Sequence, residues 1–539
     1  MDRPLDRPEG TREKMMLGVS ANRSGPGSKL RGMLIAAGAV SVALPAPWCR
    51  ATAGEPLRPP PLVHIDTGNL SGRDNGGAYS FRGVPYAAPP VGDLRWRPPQ
   101  SPAPWDGVRD AGNFAPDCPG LFPAHHKMSE DCLYLNVWTP GLAKANRPVM
   151  VWIYGGGFAG GSADMPMFDG AALARHDVVL VTFGYRTGSL GFLATPELAA
   201  ESPTHAAGNY GLMDVLAVLR WVKANISAFG GNPDNVTLFG QSSGSESVNI
   251  LTASPLARGL FQKGIGLSGS SFGVRRAPSL ATAEIAGRQF MASRHATSLA
   301  QLRAMDWHDL LAHPDEKFEP NIDGWLLPAD VYATYRAGKQ NDVPLIVGNT
   351  SQEWPRPEPL TPAQFRTNVE SRFGNLASTL LAWSDIPDEQ HATDAQWNLT
   401  NIEWGDFPAA TWAGLQARTG RSPIWRYLFD YAPPAPAGQP RIARHGSDLP
   451  YIFDSLDRSD AIASVPSDLA VRDTMLGYVL NFVRHGDPNG AGLPHWTAAA
   501  RAPAEVLRLR SDGARMVPER DPRLVALLHR HYYSDDQGE

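Results

Sequence analysis

The sequence predicts an α/β fold, with a mainly parallel central sheet flanked by helices. Three observations carry this. Short apolar, β-branched runs such as "PVMVWIY" (Pro148 to Tyr154) and "VVLVTFGYR" (Val178 to Arg186) read as strands buried on both faces. Stretches with helical apolar spacing alternate with them. The composition, 42% apolar and 19% charged over 539 residues, supplies material for a large core.

The elements follow in order. From about Pro56 to Ala115 the chain is rich in Pro, Gly and Trp. Aromatics fixed between the prolines mark ordered loops and short strands. "CLYLNVWTP" (Cys132 to Pro140) and Pro148 to Tyr154 are strand candidates, "FDGAALARHD" a helix, and Val178 to Arg186 another strand. "NYGLMDVLAVLRWVKANISAFGG" is a long helix closed by glycine, with Leu212, Val215, Leu216, Val218, Leu219 and Val222 on its apolar face. "NVTLFG" is a strand and "SSGSESVNILTA" a helix; "FQKGIGLSG" and "VPLIVGN" are further strands. The stretch from about Thr361 to Thr419 is helical in flavour and suits a cap inserted over the core. Without an internal repeat or a Gly/Ser linker, residues 54–539 read as one domain.

Residues 1–53 read as a leader. Lys29 and Arg31 precede an apolar stretch from Met33 to about Ala46, and small residues follow at Ala51 to Ala53. The stretch is too short to span a membrane. Asp2, Asp6, Glu9 and Glu13 do not suit the basic start of a signal, which points to initiation at Met15, Met16 or later. The expectation is a secreted or periplasmic protein, cleaved near Ala53, without stable membrane insertion. Cys49 would leave with the leader, and the remaining even pair, Cys118 and Cys132, suggests one disulfide in an exported chain. The net charge of −5 and the lack of a basic tract argue against nucleic-acid binding. The arginines of "RLRSDGAR" and "HRHYY" alternate with acids and read as mixed surface.

Two motifs bear on chemistry. Gly155, Gly157 and Gly160 satisfy the G-x-G-x-x-G pattern of a dinucleotide turn, but Pro166 delays the helix and Asp177 lies at the wrong end of the next strand. Bare backbone N–H groups there suit a small oxyanion instead. Gly240-Gln241-Ser242-Ser243-Gly244 is a G-x-S-x-G match between a strand and a helix, the context of a nucleophile elbow. A second match, Gly269 to Gly273, runs into "VRRAPSL", so Ser271 reads as a loop residue. A serine nucleophile needs a base and an acid to orient it, in the chain order Ser, acid, His. Glu353 and His445 lie in suitable loops, but position alone does not select them from 54 acidic residues and 14 histidines.

These stretches resemble a known family. "FRGVPYAAPPVGDLRWRPP", "SEDCLYLNVWTP", "VWIYGGGFAGGSA", "GNYGLMDVLAVLRWVKANISAFGGNPDNVTLFGQSSG", "VGNTSQEW", "RHGSDLPYIF" and "FVRHGDPNGAGLPHW" resemble, in order, motifs of the type-B carboxylesterases, which include the cholinesterases. The resemblance implies an α/β-hydrolase fold with cap insertions. It implies ester cleavage through an acyl-enzyme, with Ser242 as nucleophile, Glu353 as acid and His445 as base. Gly156, Gly157 and Ser243 match the oxyanion donors, and Cys118 and Cys132 the family's first disulfide. A small-molecule ester is the implied partner, no metal or organic cofactor is implied, and the oligomeric state is left open.

The chain departs from the family pattern at several positions. Gln241 stands where Glu is common before the nucleophile, which makes the surroundings of His445 less negative. Asp448 stands where a longer Glu is common, retaining an acid with shorter reach. Ser243 and Ser245 replace smaller residues, Gly184 replaces Asn, and Glu246 is a charge without an assigned role. A lipase-like enzyme and an amide- or carbamate-cleaving one are alternatives on this scaffold, as is an adhesion protein that has lost catalysis. The intact Ser, Glu and His disfavour the last.

Overall fold

Seven neighbouring strands run parallel, so the loops at their C-terminal ends gather along one edge of the sheet. A computed structural model describes residues 59–122, 126–143, 146–435, 441–458 and 465–533. The strands are β1 (Leu62–Ile65), β2 (Gly68–Ser71), β3 (Arg73–Asp74), β4 (Tyr79–Pro85), β5 (Val108–Asp110), β6 (Tyr134–Thr139), β7 (Arg147–Ile153), β8 (Val179–Phe183), β9 (Gly231–Gln241), β10 (Lys263–Leu267), β11 (Leu345–Thr350), β12 (Ile424–Phe429), β13 (Glu505–Arg510) and β14 (Gly513–Pro518). Eleven of them form one sheet, in the order β14-β13-β12-β11-β10-β9-β7-β8-β6-β4-β3. The block from β8 through β13 is parallel. Antiparallel strands extend it at both edges. β1, β2 and β5 make a separate small sheet.

The expected mainly parallel sheet is therefore present, and its cause is visible. Every residue of β8, β10, β11 and β12 is buried, as strands covered by helices on both faces require. The long helix spans Tyr210–Asn225 and closes, after one 3₁₀ turn, at Gly230, whose φ of 78° suits glycine. The helix after β9, Ser243–Ala253, is buried along its whole length. Its hydroxyls turn inward: Ser247 donates to the Ser243 carbonyl at 2.9 Å and Thr252 to the Asn249 carbonyl at 2.6 Å.

Between β11 and β12 lie the helices Pro362–Phe373, Ala377–Ala382, Glu389–Asn401 and Phe407–Thr419. The first opens on a capping box between Thr361 and Gln364. The last two are joined by a π-helical turn, Ile402–Asp406. Part of the arginine-rich C-terminal stretch is an edge hairpin, β13 and β14, with Arg510 opposite Gly513. Arg508 pairs with Asp430 at 3.1 Å and Arg515 with Asp512 at 3.2 Å, so its charges are matched. Cys118 and Cys132 form a disulfide. The leader reading lies outside the described residues. Among the described residues, no helix is long and apolar enough to cross a membrane.

Candidate active site

β9 ends at Gln241 and the next helix begins at Ser243, so Ser242 makes the reversal alone, at φ 57° and ψ −126°. A residue with a side chain held in so sparsely populated a region costs about 1–3 kcal/mol. Two hydrogen bonds hold it: the Ser242 N–H donates to the Leu267 carbonyl at 2.8 Å, and its carbonyl accepts from the Glu246 N–H at 2.9 Å. The flanking glycines are required by space. A Cβ on Gly240 would lie 2.4 Å from the Gly244 carbonyl, and one on Gly244 would lie 2.1 Å from the Ile153 carbonyl.

The loop after β7 packs against this elbow. A Cβ on Gly155 would lie 2.9 Å from the Ser242 Cβ. Gly156 and Gly157 have φ of 128° and 61°, conformations glycine adopts at little cost. The carbonyls of Gly156, Phe158 and Ala159 accept from Ala159, Gly188 and Leu121 at 3.0, 2.6 and 2.8 Å, which fixes the loop. The N–H groups of Gly156, Gly157 and Ser243 donate to no protein acceptor among the described residues. Three N–H groups beside a serine at a helix N-terminus can receive developing negative charge.

Glu353 and His445 come from separate loops that are clipped together. The Gln352 N–H donates to the Ala443 carbonyl at 3.1 Å, two residues before His445. His445 Nδ1 then meets Glu353 Oε2. The other Glu353 oxygen accepts from the Thr350 N–H at 2.6 Å. Behind this loop, Arg520 donates to the Ser351 carbonyl at 2.8 Å and pairs with Asp406. Burial alone would raise the Glu353 carboxyl, but the His445 charge and hydrogen bond hold it below the usual range. Burial likewise works against a charged His445, but Glu353 and then Asp448 outweigh it and raise the imidazole above its ordinary value. The His445 side chain is 34% exposed, so a substrate can reach it.

The other sequence expectations resolve individually. Gln241 is the direct neighbour of His445: its Nε2 donates to His445 Nε2 at 2.8 Å. Asp448 is fully buried, but it is bonded by Tyr427, whose hydroxyl donates to Oδ2 at 2.7 Å, and not by His445. Its shorter reach leaves it acting on His445 through charge. Burial pushes its carboxyl up to about 6. Glu246, without a role in the sequence, accepts from Arg275 Nε and Nη2 at 3.0 and 2.9 Å. Gly184 leaves room for the Cys132 carbonyl, which a Cβ would meet at 2.8 Å. Ser271 is buried, and its hydroxyl donates to the Arg275 carbonyl at 3.2 Å. Tyr427, Asp406 and Arg520 support the site without a local sequence signal, because their partners are distant in the chain; Thr350 supports it through its backbone N–H, which any residue would supply.

The chain matches the Carboxylesterase family over residues 59–396 and 361–523. It is 36% identical to a fumonisin B1 esterase of Sphingopyxis macrogoltabida, over 81% of this chain and 84% of that one. It is 31% identical to a para-nitrobenzyl esterase of Bacillus subtilis, over 86% of this chain and 96% of that one. A solved PNB esterase superposes with a TM-score of 0.76 at 31% identity, covering 87% of this chain and 99% of its own. The chain thus belongs to the carboxylesterase family, and it is a carboxylic ester hydrolase of the α/β-hydrolase fold.

Proposed function

We propose that the enzyme cleaves esters of small molecules through an acyl-enzyme on Ser242, with His445 as base and Glu353 as its orienting acid. The observation that carries this reading is the contact of His445 Nδ1 with a buried Glu353, the same ring being bonded by Gln241, the residue before a serine held in an elbow conformation. His445 Nε2 takes the Ser242 proton as Oγ bonds to the ester carbonyl carbon. The N–H groups of Gly156, Gly157 and Ser243 hold the oxyanion. The C–O bond to the alcohol then breaks, and the alcohol leaves with the proton from His445. Water gives a proton to the same nitrogen and attacks the acyl carbon. The acid is released and Ser242 regains its proton. Glu353 stabilises the imidazolium formed at each stage.

Within this reading, the helices between β11 and β12 form a cap over the core, and the chain works in an exported setting. The disulfide Cys118–Cys132 supports the latter, because such bonds persist in oxidising compartments. A fluorophosphonate probe tests the nucleophile. The wild-type protein should be labelled on Ser242 and Ser242→Ala should not; labelling of the variant at an undiminished rate overturns the assignment.

A further inference from the structure

Gln241 occupies the nitrogen that the proposed reaction needs. His445 faces Glu353 with Nδ1, and a neutral ring that gives that proton to a carboxylate keeps one lone pair, on Nε2. The Gln241 amide donates into that lone pair at 2.8 Å. Ser242 Oγ makes no hydrogen bond among the described residues. Gln241 is 7% exposed. A Cβ on Gly155 would lie 2.8 Å from Gln241 Oε1, so the amide oxygen lies close to the glycine loop while Nε2 faces the ring.

We infer that Gln241 is a positioning residue: it holds His445 neutral in the free enzyme, and Ser242 displaces it when an ester docks. This rests on His445 being the base. The chemistry of the amide sets the direction of the effect. A side-chain N–H can be donated only to a lone pair, and Nε2 has one only while the ring is neutral. A carboxylate at the same place could only accept, and would favour the imidazolium. The charged groups that bear on the ring act the other way. Glu353, from the loop after β11, and Asp448, three residues along the histidine's own loop, both favour the charged form. Tyr427 bonds Asp448, and Arg520 braces the Glu353 loop and pairs with Asp406. Gln241 opposes the two carboxylates. It keeps His445 able to accept a proton at lower pH, while Ser242 must compete for Nε2.

The test is the acid limb of kcat/KM for p-nitrophenyl acetate in wild type, Gln241→Met and Gln241→Glu. Each rate is normalised to active sites counted by fluorophosphonate. Met has similar length and no donor. The limb midpoint should rise from Gln to Met to Glu, with Glu about one unit or more above wild type. The plateau of Gln241→Met should rise severalfold, because Ser242 no longer competes. Equal midpoints in all three proteins overturn the inference, and so does a midpoint that falls in Gln241→Glu. If Gln241→Glu is not labelled, Gln241→Met decides alone. The base assignment is checked separately with His445→Gln: an acid limb that survives there overturns the role of His445 itself, whatever Gln241 does.

Discussion

Gly240 to Gly244 and Gly269 to Gly273 spell the same five-residue pattern at the ends of neighbouring strands, β9 and β10, and the fold uses them in opposite ways. Ser242 stands at φ 57° between a strand and an eleven-residue helix. Ser271 is 0% exposed, donates to the Arg275 carbonyl, and is followed by one 3₁₀ turn, Gly273–Arg275. The Ser271 N–H is also spent, on the Asn249 side chain at 2.9 Å. The first glycine of the second pattern serves the first pattern: a Cβ on Gly269 would lie 2.1 Å from the Ser242 carbonyl. A motif records where backbone must come close. The surroundings decide which hydroxyl is available for chemistry.

Exchanging the two serines for alanine in turn gives the widest separation. Ser242→Ala should lose on the order of 10⁶ in kcat, the scale of serine-triad removal in another hydrolase. Ser271→Ala should keep kcat within about threefold and lose about 1–3 kcal/mol of stability, because its hydroxyl both donates to the Arg275 carbonyl and accepts from the Ala277 N–H. Ester-hydrolysis rates and urea unfolding of both variants measure this. A Ser271→Ala variant as inactive as Ser242→Ala would erase the distinction.

The two regions are also tied by an ion pair, and breaking it should be the next largest effect. Arg275 ends the second loop and Glu246 lies in the first turn of the helix after Ser242. Burial pushes the Glu246 carboxyl up to about 7 even with Arg275 beside it. Arg275→Met leaves that carboxylate buried without its cation, at a cost of about 3–5 kcal/mol. The folded-state pKa then rises further above the unfolded value. The folded state binds more protons than the unfolded one in that window, so stability falls as pH rises through neutrality. Denaturant unfolding should show the deficit at pH 8 and a smaller one at pH 5.5. The double variant Arg275→Met, Glu246→Gln should recover most of it. Equal losses at both pH values would mean that Arg275 acts by packing alone.

Much of the parallel block was legible, because strands buried on both faces must be continuous apolar runs. The Ser242 elbow was legible for a similar reason: its glycines are demanded by backbone contact. β12, β13 and β14 were not anticipated. The last two form an edge hairpin whose arginines hide the period-two pattern. Glu353 and His445 were suitable in order and loop position, and the family resemblance singled them out. The residues that brace their loops, Arg520, Asp406 and Tyr427, left no mark, because each contact joins positions far apart in the chain. The direction of the Gln241 amide was likewise invisible: the sequence indicates a lost carboxylate, but not where the replacement donates.

Gly269 allows the comparison to be sharpened without touching either hydroxyl. Gly269→Ala adds one methyl group against the Ser242 carbonyl and must move the elbow. A shift of about 1 Å in a positioned nucleophile costs on the order of 10²-fold in rate. The loss should fall on kcat, with Ser271 and its hydrogen bond still in place. Normal kcat in a stably folded Gly269→Ala protein would show that the second pattern does not support the first.

The smallest effect concerns the proposed base, His445, whose ring is bonded by Gln241, the residue before Ser242. Glu353 and Asp448 raise the His445 imidazole above its ordinary value, about 6.5. The proposed reaction needs the neutral ring, so activity should grow as pH rises and the proton leaves. The midpoint of that rise in kcat/KM should lie above 6.5. Asp448 acts through charge without bonding the ring, so Asp448→Asn should lower the midpoint by a fraction of a unit and leave the plateau within a few-fold. Glu353→Gln removes the charge and no longer enforces the Nδ1–H tautomer, and should lower the plateau as well as the midpoint. A profile flat between about pH 5 and 8, or a midpoint that rises in Asp448→Asn, would contradict the electrostatic account. The order of the two shifts then separates a neighbour that only biases the proton from one that also holds the ring.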